Sequence, residues 1–431
     1  MAFAAFVNLT IALEISQGVA RFYASEPDRT RQIEYVSSAF WFTSACYSVF
    51  AVVALSFAPA ISGLIMGKNG EEATFSIGVA YIWANGLFYL IQNQFRWELR
   101  SSHYALVSIV MSVVSASASI FLIWFLDFGL KGLIAGLFIG SAMASVLGLY
   151  WLRASIRFAF NTLLLRQMLR FSAPLVLSGV TVWFGLYADR LMIQRMLSVE
   201  HVGLYGIGFR YASMAGLVIL GFQAALTPLV YTYVNQKETP AHLAQIFRIF
   251  ILFFLLISLC LTIYALDILR IMTTPDFYSS ADVVVYLVPA ILLASMYIFS
   301  PGIAIAKKTH LVVWINVIGG AVNIALNYLL IPIFGITGAA SATFIGFLLV
   351  FTLYLVFGQR FYHIPHSWWS IAVPVIITAT LLVIFKSVIW TDAMRWSFGV
   401  VAVVTVTGVG IFSGLIRTDE IRRVSNFLRF R

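Results

Sequence analysis

The fold class this sequence predicts is an all-α polytopic membrane protein of thirteen transmembrane helices, built as two parallel-repeat bundles with two further helices at the C-terminal end. Three observations predict it. Long apolar runs follow one another almost without pause, near 1–21, 36–66, 73–95, 104–126, 130–152, 171–197, 203–233, 249–272, 282–306, 311–333, 336–359, 368–391 and 396–416. The two halves repeat at an offset of 206 residues: Phe128-Gly129-Leu130-Lys131-Gly132 aligns with Phe334-Gly335-Ile336-Thr337-Gly338, and Phe138-Ile139-Gly140 with Phe344-Ile345-Gly346. Finally, 431 residues with 61% hydrophobic and 10% charged side chains leave too little polar surface to clothe a soluble globule.

Crossing about 30 Å of hydrocarbon takes about 20 residues of helix, which each run supplies. Continuous runs, without period-two alternation, exclude an outer-membrane barrel. Residues 1–157 then form an N-terminal bundle of five spans, 158–170 an interfacial linker helix, and 171–360 a C-terminal bundle of six. Two additional spans occupy 361–416, after the linker Tyr362 to Trp369, and 417–431 is a basic tail. The span at 171–197 opens the second half, so its counterpart, 206 residues earlier, falls ahead of Met1. The expectation is a fourteen-span protein whose first helix this chain lacks; the alternative is that Met1 to Tyr23 is a true beginning and thirteen helices suffice.

Cytoplasmic loops retain Lys and Arg. Of the 27 here, nineteen fall at one set of span ends and six at the other, with Arg190 and Arg210 inside spans, which predicts a cytoplasmic C-terminus. The net charge of +10 follows from this bias and the tail, not from nucleic-acid binding. The tail and the segment Phe158 to Arg170 mix Arg with Phe and Leu and are expected on the inner leaflet, held by anionic lipid. Cys46 and Cys260 lie in apolar runs as small hydrophobes, and no phosphate loop, metal motif or soluble domain supports an enzyme, a cofactor or a metal. A six-span repeat unit is even, so both copies enter the membrane in the same sense. Two bundles facing a central cavity, with alternating access by rocking, are the expected mechanism.

Charges within spans cost at least ~2.5–3.5 kcal/mol and usually face a lumen. Thr10, Glu14, Gln17 and Arg21, spaced by 4, 3 and 4, are expected on one stripe of the first helix, although Arg21 is near enough to the helix end to snorkel to the interface. Asp189 and Arg190 are adjacent and point ~100° apart, so each needs another partner. Asp189 is expected to meet Arg210 across the helix pair, freeing Arg190 for the lumen, with a purely structural ion network as the alternative. Glu14 and Asp189 are the candidates for ion coupling. Asn316, Asn323 and Asn327 share a helix face, either bonding between helices or lining the cavity. Gln92-Asn93-Gln94-Phe95-Arg96-Trp97 offers amides and aromatic faces for sugars, or simply an anchored helix end.

Two segments carry a family resemblance. Asn323-Ile-Ala-Leu-Asn327-Tyr-Leu-Leu-Ile-Pro332-Ile-Phe-Gly335-Ile-Thr-Gly338-Ala-Ala340 resembles the Asn-rich helix, terminal Pro and Gly-x-x-Gly-Ala-Ala turn of the oligosaccharide-lipid flippases, the O-antigen and polysaccharide-export branch of the MATE-like exporter superfamily. Tyr187-Ala188-Asp189-Arg190, followed by Gly203-Leu204-Tyr205, resembles the opening of that family's second half. The resemblance implies a MATE-like fold and translocation of undecaprenyl-pyrophosphate-linked oligosaccharide across the bacterial inner membrane. The implied partners are the lipid-linked oligosaccharide, the bilayer and the polysaccharide polymerase machinery, with the chain itself a monomer. Arg21, Arg190 and Arg210 would meet the diphosphate, because guanidinium keeps its charge and offers a fork of donors. A multidrug exporter, a peptidoglycan-precursor flippase and a non-transporting scaffold are the alternatives.

Overall fold

A computed structural model describes residues 2–66, 72–233, 236–306 and 308–415. Every regular element in them is helical. Nine helices are long and apolar enough to cross a membrane, and one bent pair raises this to ten, among the described residues. The protein is an all-α polytopic membrane protein. Its chain divides into two compact units, Met1–Tyr187 and Ala188–Arg431. The basic tail lies outside the described residues.

The first unit contains α1 (Ala2–Thr10), α2 (Ile15–Ser25), α3 (Arg29–Ser56), α4 (Ala58–Met66), α5 (Glu72–Trp97), α6 (Ser101–Trp124) and α7 (Gly129–Leu152). Then α8 (Thr162–Met196) carries the chain into the second unit. The expected single first span is broken: α1 and α2 are bent by 46°, with Leu13 and Glu14 both left-handed at φ 51°. The Thr10 hydroxyl donates back to the Phe6 carbonyl at 2.8 Å, a local bond that bends a helix. Ile15, Val19, Tyr35 and Met168 form the apolar core around α2, and Phe95, Val107 and Leu152 a second one beside α7.

A carboxylate ties together one end of this unit. Glu98, just past α5, accepts from Gln94 Nε2 at 3.0 Å, from Arg100 at 3.3 Å and from the Ser155 hydroxyl. Arg29 bridges Ser155 at 3.0 Å and the Tyr23 hydroxyl at 2.7 Å. Arg29 is half exposed, so its pairing with Glu98 at 3.9 Å is screened and the hydrogen bonds carry the clasp.

The second unit contains α9 (Val199–Tyr233), α10 (Thr239–Ile263), α11 (Ala265–Met272), α12 (Ala281–Ser295), α13 (Gly302–Ile305), α14 (Thr309–Phe361), α15 (Trp368–Ser387) and α16 (Asp392–Phe412). Phe247, Phe250, Leu287 and Phe299 centre its core, and α16 adds Ala402 and Val406 to it. Arg395 of α16 is buried against Asp267 of α11 and Asp392, while Arg270 meets Asp392 at 3.0 Å.

The expected runs 311–333 and 336–359 are the two arms of α14, 53 residues long, divided where Gly335 adopts φ 60°, ψ −137°. The repeat places Gly129 206 residues earlier, and it too has a positive φ, 50°, at the start of α7. Each glycine turns the chain between two closely packed arms, and that approach leaves little room: a Cβ on Gly140 would lie 2.0 Å from the Ser115 hydroxyl. One sequence element thus builds the same hairpin in each unit.

Between α14 and α15, Gln359 closes the linker by accepting from the Ile364 N–H at 3.0 Å and donating to its carbonyl at 3.1 Å. His366 packs on Phe247 and Trp368, with ring centroids 4.7 and 5.2 Å away. Burial, with the nearby His363, pushes its pKa from 6.5 down to about 4. An unfolded linker therefore takes up a proton first as pH falls through 6.5, and the folded linker loses stability from there to about pH 4.

Gly335→Ala meets no side chain closer than Leu197 at 4.0 Å, so its cost is conformational, about 1–3 kcal/mol in detergent unfolding. Gly78→Ala, in open space on a regular helix, should be neutral or stabilising. Proteolysis of the 362–367 linker should accelerate between pH 6.5 and 4, and His366→Phe should flatten that dependence.

Candidate substrate and ion site

In the second unit the charges and amides singled out by the sequence converge. Asp189 lies about two turns before the end of α8, and Tyr205 about two turns into α9, so the hairpin turn brings them opposite each other. Tyr205, fully buried, donates its hydroxyl hydrogen to the Asp189 carboxylate, which also accepts from the Arg190 N–H at 2.8 Å. The Tyr205 oxygen is 3.4 Å from the Thr343 hydroxyl on the second arm of α14. Asn323, on the first arm, donates to Thr343 at 3.4 Å and accepts from Asn327 at 3.1 Å. An unbroken polar chain thus runs Asn327, Asn323, Thr343, Tyr205, Asp189.

Arg190 takes a different direction. Its guanidinium lies over the Phe209 ring at 4.4 Å and the Tyr205 ring at 5.8 Å, and its charge acts on Asp189. The cation–π contacts hold the guanidinium plane while leaving it partly exposed.

The expected Asp189–Arg210 pair does not form. Tyr205 and Phe209, four apart, share the face of α9 turned to α8, and Arg210 is ~100° further round and exposed. The notion that adjacency separates Asp189 from Arg190 is corrected too, since the carboxylate takes the Arg190 N–H and feels its guanidinium. Asn327 is wholly buried and bonds between turns of its own helix, and Asn316 bonds back to the Val312 carbonyl at 2.9 Å. Tyr205 and Thr343 were not singled out as site residues. A tyrosine six residues into a helix that follows a buried Asp was the available signal.

In the first unit the break between α1 and α2 redistributes the expected stripe. Thr10 closes α1, Glu14 occupies the left-handed break and is bonded by the Gln17 side chain, and Gln17 and Arg21 lie exposed on α2. The four do not form one polar face on a single cylinder. Glu14 instead lines a cavity of about 20 Å³, room for one water, with Asn8, Thr43 and Tyr47. Tyr47 donates to the Asn8 side chain at 3.0 Å. Arg21 stacks on Phe171 at 4.8 Å. Gln92 and Gln94 are engaged by Ser108 and Glu98 within the unit. Among the described residues no group of three His, Cys, Asp or Glu could hold a metal ion.

Comparison with known proteins places this geometry. The profile of the family described as polysaccharide biosynthesis protein matches residues 1–282. The chain belongs to the polysaccharide biosynthesis protein family. No curated protein matches it. Among solved structures, the lipid II flippase MurJ in an inward closed conformation superposes with TM-score 0.71 at 16% identity, over 95% of this chain and 92% of that one. An inward-facing multidrug resistance MATE transporter of the MOP superfamily gives TM-score 0.67 at 13% identity, over 83% and 87%. A mutant MATE transporter from Vibrio cholerae gives 0.59 at 16%, over 83% and 85%. The fold is therefore that of the MATE and MurJ proteins.

Removing the Tyr205 hydroxyl should leave a buried carboxylate short of a donor. Tyr205→Phe is expected to cost about 1–3 kcal/mol in detergent unfolding, and the Tyr205→Phe/Asp189→Asn pair less than the sum of its single substitutions.

Proposed function

We propose that this protein translocates an undecaprenyl-pyrophosphate-linked oligosaccharide across the bacterial inner membrane by alternating access, for polysaccharide or O-antigen assembly. The observation that carries this reading is Arg190: a partly exposed guanidinium, oriented on Phe209 and Tyr205, inside the apolar second unit of a polysaccharide biosynthesis family member. A charge in that setting is expensive, and a diphosphate is the anion that a fixed guanidinium fork recognises. Arg190 and Arg210 are the phosphate contacts of this reading in the second unit, with Asn323 and Asn327 supporting them; Thr10, Glu14, Gln17 and Arg21 are its substrate-binding candidates in the first. The chain acts as a monomer in the bilayer with its C-terminus cytoplasmic, and polysaccharide polymerase machinery takes the translocated product.

Asp189 is the ion-coupling residue of this reading. At the far end of the polar chain that leads to it, the buried Asn327 Oδ1 has no hydrogen-bond partner and is an acceptor that an entering cation would meet. Glu14, at the break between α1 and α2, is the other ion-coupling candidate of this reading. The second reading is a peptidoglycan-precursor flippase. It is supported by the lipid II flippase structure, whose coverage of this chain exceeds that of the multidrug transporters.

Expression in cells lacking their own polysaccharide flippase tests both. Restored surface glycan supports the proposal, and rescue only of cells depleted of the peptidoglycan-precursor flippase supports the second reading. Arg190→Gln should lower glycan export about tenfold or more at unchanged protein level, and Asp189→Asn should remove its dependence on the coupling ion gradient. Drug resistance without glycan would overturn both readings.

A further inference from the structure

A second cationic feature belongs to the first unit alone. An open groove of about 1290 Å³ runs between the end of α2 and the first turns of α8. Arg21, Arg166 and Arg170 line it together with Phe22, Leu163 and Phe171, and among the described residues no acidic side chain does. The rotation of α8 is fixed from its other face: Met168 is wholly buried, and a Cβ on Gly18 of α2 would stand 3.0 Å from it. Asn161 caps α8 by accepting from the Leu163 and Leu164 N–H groups at 3.1 and 3.3 Å, and Tyr35 donates to Gln167 at 3.0 Å. Arg166 and Arg170 are thereby held one turn apart on the groove face, a like-charge pair that opposes itself unless an anion lies between them. Arg21 is placed on the Phe171 ring, at the other wall.

We propose that this groove binds the diphosphate of an isoprenoid-type lipid, with Arg166 and Arg170 as its fork and the Leu163 and Phe22 walls along the first units of the chain. The inference rests on the transport reading and gives it an entry subsite distinct from Arg190. Two linked phosphates present two ionised groups to two guanidiniums one helical turn apart, each able to bind bidentately. A glycerolipid with a single phosphodiester would satisfy only one of them.

The test uses the purified full chain in neutral detergent, titrated with farnesyl diphosphate and followed by calorimetry. Saturable binding is expected, at least tenfold weaker in Arg166→Gln/Arg170→Gln and intermediate in Arg166→Lys/Arg170→Lys, which keeps charge but loses the fork. Arg153→Gln, at an arginine stacked on Tyr150 and outside both sites, should bind as the parent does. Unchanged affinity in the Gln pair overturns the proposal. So does displacement by phosphatidylglycerol at equal concentration, which would mark a general anionic-lipid surface. Flipping of lipid-linked oligosaccharide in vesicles is measured in parallel. A parent chain that binds the probe at this groove and flips nothing defeats the transport reading alone. A Gln pair that binds and flips like the parent defeats the groove alone.

Discussion

A carboxylate buried in an apolar helical unit has to be satisfied by the protein itself, since neither water nor lipid supplies donors there. Asp189 is that carboxylate, and its requirement fixes the local packing. The hydroxyl of wholly buried Tyr205 must face it, which sets the rotation of α9 against α8. The Tyr205 oxygen is then the neighbour of Thr343, and Thr343 of Asn323, so both arms of α14 are held in register by the same chain of bonds. The direction in which Arg190 points follows from the same phase, because Tyr205 and Phe209 present their rings on the face that Tyr205 must turn toward Asp189.

Breaks in the helices are confined to places where the chain can meet the conformational cost. At Gly129 and Gly335 the positive φ falls on glycine, and the adjoining arms pack closely enough to exclude a side chain. At Leu13 and Glu14 it falls on residues with side chains, where about 1–3 kcal/mol each has to be offset by surrounding structure. The surroundings include the Gln17 bond to Glu14 and the Tyr47 bond to Asn8. That strain is local to the stretch of the first span where polar residues interrupt the apolar run.

The architecture was legible because membrane helices follow from composition and run length, and because the hinge glycines repeat at a fixed offset. Asp189, Arg190, Asn323 and Asn327 were legible as polar residues in apolar runs. Their connection was not, because it passes through Tyr205 and Thr343, residues common in helices for unrelated reasons. Arg210 was misassigned for want of helix phase: charge complementarity favoured it, while the five-residue step from Tyr205 turns it away. The break at Leu13 was invisible because neither Leu nor Glu signals a left-handed backbone.

The duplication also separates scaffold from chemistry. Moving 206 residues back from Gly335, Gly338 and Gly346 gives Gly129, Gly132 and Gly140, so the hinge and its close packing are retained in both units. Applying the same offset to Asn323, Asn327 and Thr343 gives Ser117, Phe121 and Leu137. A hydrogen-bonded chain needed only to hold two helix arms together would serve the first unit as well as the second, because the two hairpins share their turn. Instead Phe121 and Leu137 take two of these positions in the first unit, where Ser119 bonds the Leu133 carbonyl and packing against glycine holds the arms. The polar chain of the second unit therefore exceeds what the hairpin requires for stability, and its excess polarity is directed at the buried carboxylate of Asp189, with Arg190 beside it.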